Sequence, residues 1–242
     1  MDNLSVLIAA AGKGLRAGLP YPKTLFPIHG KPILVSIHEL MSRWDACPTV
    51  IVSPSGYDQV ASCLAQYKLA AHLVIQPEPR GMGDAVLRFT DSPAFSGTEH
   101  VLLIWGDIPF IQPQTVTGML NAHQRNNNDF TFVTRYVDNA YTIVVRDENG
   151  CVIDVVETRE AGSKVSQPGE RDIGLFVFRK QPVFNLLRAE LPGKWGKTTG
   201  EHGFLYVIKH LVAFGYRVEG LPIATEMDLV SLNTMKDIEK FL

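Results

Sequence analysis

Four short runs rich in Val, Ile and Leu set the frame of this chain: Val6 to Ala9, "TVIVS" (49–53), "HLVIQ" (72–76) and "HVLLIWG" (100–106). They show little polar–apolar alternation, so each predicts a strand covered on both faces. Between them lie stretches with helical spacing: Pro32 to Trp44, with Pro in its first turn, Tyr57 to Tyr67, and the shorter Gly83 to Phe89. Gln114 to Arg125 predicts a further helix and "DFTFVTRY" (129–136) a further strand. This β-α-β-α order predicts an α/β fold, a mostly parallel Rossmann-like sheet with helices on both faces.

The pattern changes near Tyr141. "YTIVVRDENGCVIDVVE" (141–157) predicts a hairpin turning at Asn-Gly, and "DIGLFVF" (172–178) another strand. Helices are expected near 181–190, 202–213 and 234–241, and a strand at "YRVEGLP" (216–222). "GSKVSQPGE" (162–170) reads as a polar, mobile loop. No linker or repeat divides the chain, so one domain with a small β-rich subregion is expected.

Net charge is −2 over 242 residues, which leaves no basic excess for nucleic acid. The three cysteines, Cys47, Cys63 and Cys151, form no CxxC pair, which fits a reducing compartment. The N-terminus lacks a basic leader and its apolar run is short. The expectation is a cytoplasmic protein with no membrane segment; the oligomeric state is not legible.

In an open parallel sheet, ligands bind at the carboxyl ends of the strands. After Ala9 comes "AAGKGLRAGLPYPK", with Gly12, Gly14 and Gly18. The dinucleotide fingerprint G-x-G-x-x-G is missed by one residue, Pro20 and Pro22 prevent an immediate helix, and the Walker pattern fails because Leu15 follows Gly14. A tight turn with solvated cations competes with a phosphate site. The combination of small residues Ala9 to Ala11, early glycines, Arg16 and Lys23 favours the phosphate site, since backbone N–H groups can then approach a ligand closely. Arg16 can fork onto phosphate oxygens, and Lys23 can place a point charge on another phosphate.

"LIAAAGKGLRAGLPYPKTLFPIHGKPIL" resembles the nucleotide-sugar pyrophosphorylase signature L-A-A-G-x-G-x-R…P-K…P…G-K-P. The resemblance is greatest to the uridylyltransferase half of bacterial N-acetylglucosamine-1-phosphate uridylyltransferases. It continues in order. "QPEPRGMGDAV" (76–86) resembles Q…G-T-G-H-A-V, "LLIWGDIPFI" (102–111) resembles L-x-G-D-x-P-L-I, and residues 143–157 resemble the hairpin ending in V-E. "SLN" (231–233) resembles G-V-N. The acetyltransferase half of those proteins, a hexapeptide-repeat helix, is not expected in this sequence.

The resemblance implies nucleotidyl transfer from an NTP, UTP or dTTP, to a phosphorylated small-molecule acceptor, a sugar 1-phosphate, with release of pyrophosphate and with Mg²⁺. It implies a nucleotide-binding half (1–136) and an acceptor-binding half (137–242). Asp107 and Asn233 are the implied metal ligands. The competing readings are a turn or helix-cap residue for Asp107 and the cap of the last helix for Asn233. Arg16, Lys23 and Asp107 carry catalysis, with Gly12, Lys13 and Gly14 around the triphosphate. Ala10, Ala11, Gln76 and Gly81 bind the base, the Gln76 amide pairing with the O/N–H edge of a pyrimidine. Lys31 matches a family position but reads equally well as a solvated lysine.

Glu157 matches a glutamate that accepts from sugar hydroxyls, although an exposed strand-end glutamate would look the same. Departures cluster on the acceptor side. Thr142 replaces a glycine of G-Y-G, Asp172 replaces the asparagine of N-T-G, and "GEHGFLY" (200–206) lacks the tyrosines of G-E-Y-Y-L-T-D; near the base, Met82 replaces a threonine. Asp172 with Glu157 would suit a cationic or hydroxyl-rich acceptor. Two other readings remain: a cytidylyltransferase acting on a non-sugar phosphate, and a nucleotide-binding module without turnover.

Overall fold

A computed structural model describes residues 1, 3–12, 18–160, 162 and 167–237. Three strands of the first half follow the apolar runs: β1 (Leu4–Ala9), β4 (Thr49–Val52) and β5 (His72–Ile75). With β6 (His100–Trp105) they pair in parallel, in the order β6-β1-β4-β5. Leu7, Val50, Ile51, Leu102 and Leu103 are fully buried, as strands covered on both faces must be. Two minor strands, β2 (Pro27–Ile28) and β3 (Lys31–Pro32), lie between β1 and the first helix.

The helices are α1 (Ile33–Met41), α2 (Tyr57–Gln66), α3 (Met82–Leu87), α4 (Pro113–Arg125), α5 (Lys180–Arg188) and α6 (Tyr206–Ala213). One core unites α1, α2 and α4 with the face carrying Ile8, Val50, Leu102 and Ile104. The other unites α3, α5 and α6 with Leu7, Ile51, Val101 and Leu103. The sheet is thus covered on both faces.

The second half extends this same sheet. β7 (Phe130–Ala140), β10 (Gln167–Arg179) and β11 (Val218–Leu221) complete seven strands in the order β11-β7-β10-β6-β1-β4-β5. β10 runs antiparallel to both β6 and β7. The hairpin forms a separate two-stranded sheet, β8 (Thr142–Arg146) with β9 (Val152–Glu157). Gly150, at φ +79°, closes its turn, and the Asp147 carboxylate accepts from the Asn149 and Cys151 N–H groups.

Two sequence expectations change. Gln167 to Glu170, read as loop, are strand, because Gln167 pairs with Ala140, Gly169 with Val137 and Glu170 with Tyr136; residues 163–166 lie outside the described set. Long-range pairing outweighs the local turn signal of Pro-Gly. α6 begins at Tyr206 rather than 202, because His202 is tied by its backbone to Arg80 (2.6 Å) and Gly83 (3.0 Å). Of the helix expected near 234–241, Met235–Asp237 form a 3-10 turn, and residues 238–241 lie outside the described set.

Candidate active site

The carboxyl ends of β1, β4, β5 and β6 deliver Ala10–Gly12, Ser53–Ser55, Gln76 and Gly106-Asp107 to one rim. Pro22, at φ −54°, leads into a 3-10 turn that begins at Lys23. The Lys23 ammonium pairs with Asp107 Oδ2 and donates to the Leu232 carbonyl at 3.2 Å. A Cβ on Gly12 would lie 3.4 Å from Lys23 Cε, so the lysine stem runs across that glycine. The Leu232 N–H donates to the Asp107 carbonyl at 2.9 Å, which sets Asn233 beside Asp107. Residues 84 to 209 positions apart in sequence thus converge around Asp107.

Asp107 is buried, and its Oδ1 has no hydrogen-bond partner among the described residues. Such an atom fits a hard cation, which takes one or two protein oxygens and completes its shell with phosphates and water. Asn233 is exposed; its backbone N–H and that of Thr234 are held by the Asp237 carboxylate, and its Nδ2 donates to Ser231 Oγ at 2.9 Å. Among the described residues its side chain caps no helix, and the Asp237 carboxylate caps the start of the 3-10 turn. Lys13, Gly14 and Arg16 lie outside the described residues. Lys31 pairs with Glu39 at 2.7 Å on the surface.

Ala11, Ser53, Pro54, Ser55, Gln76, Pro77 and Pro79 line a cleft of about 170 Å³. The structure brings Ala11 and Gln76 together as expected, while Ser53 and Ser55 escaped the motif search. Their signal was positional: both follow a buried strand at the carboxyl rim. Gln76 differs from expectation in one respect. Its Nε2 donates to Gly81 O at 3.0 Å and to Asp84 Oδ2 at 2.9 Å, so the two-point amide pairing envisaged for the base is unavailable.

Tyr141, Arg171, Leu229–Ser231, Asn233 and Asp237 line a second cleft of about 320 Å³. The Arg171 guanidinium lies 4.1 Å above the Tyr141 ring. Burial, with nearby Asp172, pushes the Tyr141 phenol well up, so it remains a neutral donor. Asp172 does not offer its charge to a ligand. It is fully buried, Oδ1 accepts from Thr142 Oγ1 at 2.7 Å, and Oδ2 accepts from the Gly174 N–H at 3.0 Å. Thr142 is consumed by the same contact, so both act as internal struts, which corrects the direct acceptor contacts expected of them. Burial raises the Glu157 carboxyl, and Arg159, 2.9 Å away, partly offsets this. Arg159 also reaches Glu160 and Glu201, each at 3.8 Å. Glu157 is therefore neither the free strand-end glutamate nor an unclaimed acceptor for a cation.

A parallel-strand rim with a lysine–aspartate pair against a glycine suits phosphate and cation binding. The chain belongs to the MobA-like NTP transferase domain family, whose model matches residues 6–213. It is 27% identical over 234 residues to the bifunctional protein GlmU of Methylococcus capsulatus, covering 96% of this chain and 49% of that protein. It is 26% identical to GlmU of Enterococcus faecalis, covering 96% and 50%. The chain spans about half the length of the curated relatives it matches. The fold resembles that of a putative glucose-1-phosphate thymidylyltransferase from Bacillus anthracis, with TM-score 0.78 and 16% identity over 98% of this chain and 93% of that one. It also resembles the inositol-1-phosphate CTP transferase of T. maritima, with TM-score 0.69 and 16% identity over 91% and 85%.

Proposed function

We propose that the chain transfers a nucleotidyl group from UTP or dTTP to a sugar 1-phosphate. An acceptor phosphate oxygen attacks the α-phosphorus in line, a new O–P bond forms, the α–β anhydride bond breaks, and pyrophosphate leaves. The acceptor oxygen is already anionic at neutral pH, so no general base is needed; alignment and charge compensation supply the catalysis. The observation that carries this reading is the convergence of Lys23, Asp107 and the Leu232-Asn233 segment beneath Gly12.

In this reading residues 1–136 hold the nucleotide and 137–242 the acceptor. Lys23 sits between the α-phosphate and the acceptor phosphate, and Arg16, with Lys13 and the Gly12–Gly14 backbone, faces the departing pyrophosphate. Asp107 and Asn233 would hold Mg²⁺, which when bound neutralises phosphate charge. Arg171, with no ion pair among the described residues, and Tyr141 line the acceptor cleft and offer it a cation and a hydroxyl.

A cytidylyltransferase acting on a non-sugar phosphate is the second reading, favoured by the reshaped acceptor side, where Thr142 and Asp172 lock together. A nucleotide-binding module without turnover is the third.

The test is pyrophosphate release from four NTPs against a panel of sugar and polyol phosphates. Activity with UTP or dTTP and a sugar 1-phosphate is expected. Asp107→Ala should lose about 100-fold or more while keeping its circular dichroism spectrum. Full activity in that variant removes the metal assignment, preference for CTP with a non-sugar phosphate selects the second reading, and silence across the panel selects the third.

A further inference from the structure

The Gln76 amide is held in one orientation by chemistry rather than by fit. Both groups bonded to Nε2, the Gly81 carbonyl and the Asp84 carboxylate, can only accept. A flipped amide would set oxygen against oxygen at both contacts. The Gly81 carbonyl also accepts from the Ala85 N–H at 3.1 Å, which fills its second lone pair and fixes it in place. Gly81 itself is immovable: its φ of +110° and its contact with the 201–202 backbone exclude any side chain.

Asp84 is buried, and its second oxygen, Oδ1, accepts from Arg88 Nη2 at 3.0 Å. The segment resembling this one carries histidine at that position, and a neutral histidine could hold the amide either way round. Here the Asp84 carboxylate, bonded to Arg88 through Oδ1, turns its other oxygen, an acceptor, to Gln76. Gln76 is left with Oε1, which has no partner among the described residues, in a side chain that lines the 170 Å³ cleft.

We propose that Asp84 and Arg88 are positioning residues that make Gln76 a one-sided acceptor, so that the cleft selects a pyrimidine presenting a ring N–H. Uracil and thymine offer N3–H; cytosine offers a lone pair at N3, which opposes Oε1. A site built around one hydrogen-bond polarity rejects the opposite polarity strongly, because the mismatched groups are left desolvated and unpaired. This rests on the proposed nucleotide binding of the same site.

Calorimetric titration with UTP, CTP and inorganic tripolyphosphate tests it. The wild-type protein should bind UTP roughly tenfold or more tighter than CTP. In Asp84→Leu the two should converge to within about threefold, with tripolyphosphate affinity unchanged. In a Gln76→Ala background the preference is already lost, and adding Asp84→Leu should not move it further; a purely structural role for Asp84 would show the same shift in both backgrounds.

Asp84→Asn keeps the volume should the leucine variant fail to fold. It has one oxygen for two donors, so with Arg88 on that oxygen its amide N–H meets Gln76 Nε2 and the preference again falls. Unchanged preference in a folded position-84 variant overturns the proposal, as does a wild-type protein that binds the two alike or favours CTP. If neither nucleotide binds better than tripolyphosphate, the nucleotide reading itself fails, which is a distinct result.

Discussion

At the residue scale, Gly174 and Asp172 show how little tolerance the site floor has. Gly174 has φ +79°, and a Cβ there would lie 2.6 Å from the Trp105 ring and 2.9 Å from Ile108 Cδ1. Gly174→Ala should therefore cost about 3 kcal/mol, left-handed strain and overpacking together, read as a lower urea midpoint at unchanged slope. Asp172 is raised above the ordinary aspartate value of 3.8 by burial, against the pull of Thr142, Arg171 and the Gly174 N–H. A carboxyl raised on folding binds protons more tightly in the folded state. Its ionisation cost is absent below 3.8, grows as pH rises through the window above it, and is present in full above the folded value. Asparagine carries no such cost and can bond Gly174 through oxygen and Thr142 through nitrogen. Asp172→Asn should thus melt at an equal or higher temperature at pH 8, with the gain shrinking toward pH 4; a gain that widens on acidification would contradict the assignment.

At the element scale, the segment that carries Asn233 is anchored from below. Asp228 is fully buried and accepts from the Gln112 N–H (2.7 Å), Thr115 Oγ1 (2.9 Å), the Thr225 N–H (2.7 Å) and Thr225 Oγ1 (2.8 Å). It thereby caps the start of α4 from more than a hundred residues away and fixes the chain just before it passes Asp107. Asp228→Ala leaves several buried donors unpaired and should destabilise by roughly 3–5 kcal/mol. On the proposed assignment of Asp107 and Asn233 to Mg²⁺, the Mg²⁺ concentration for half-maximal turnover should rise in whatever fraction stays folded, because the Leu232–Asp107 backbone contact is loosened. Unaltered Mg²⁺ dependence would confine Asp228 to stability. Little in the local sequence marks this aspartate: it sits in "ATEMDLV", which reads as loop, and two of its four donors, the Gln112 N–H and Thr115 Oγ1, come from the start of a distant helix.

At the scale of the whole molecule, β10 joins the parts. Its C-terminal stretch, Leu175 to Arg179, pairs with β6, while its N-terminal stretch pairs with β7 alone, and the register shift between Asp172 and Phe176 separates the two. Through β10 the residues around Asp172 are continuous with β6, the strand that leads to Asp107. The Arg146–Glu170 pair ties the hairpin to β10, and Arg146 also donates to the Gly220 carbonyl of β11 at 2.9 Å. Burial alone would raise the Glu170 carboxyl, but Arg146 and Thr134 outweigh it and hold it below the ordinary value. This pair therefore contributes stability that is present at neutral pH and fades as pH falls through the lowered carboxylate value. Arg146→Met should melt lower than wild type at pH 7 and approach it on acidification.

The amino-acid sequence by itself determined the α/β class, the strands β1, β4, β5 and β6, the hairpin, and the rim where Gly12, Lys23, Gln76 and Asp107 meet. Those features rest on local patterns: strands buried on both faces must be continuously apolar, and turns at the carboxyl rim need glycine and proline. Tertiary structure alone decided the rest. It made Gln167–Glu170 a strand, because β7 supplied partners that outweighed Pro-Gly. It turned Asp172 and Thr142 from acceptor contacts into struts, because each met the other in a dry interior. It gave Asp84 its role as well: in sequence, Asp84 and Arg88 look like an ordinary i,i+4 surface pair, and only the fold brings the Gln76 amide against them. Periodicity reports what an element buries, whereas the orientation of a hydrogen bond depends on which distant acceptor arrives at its other end.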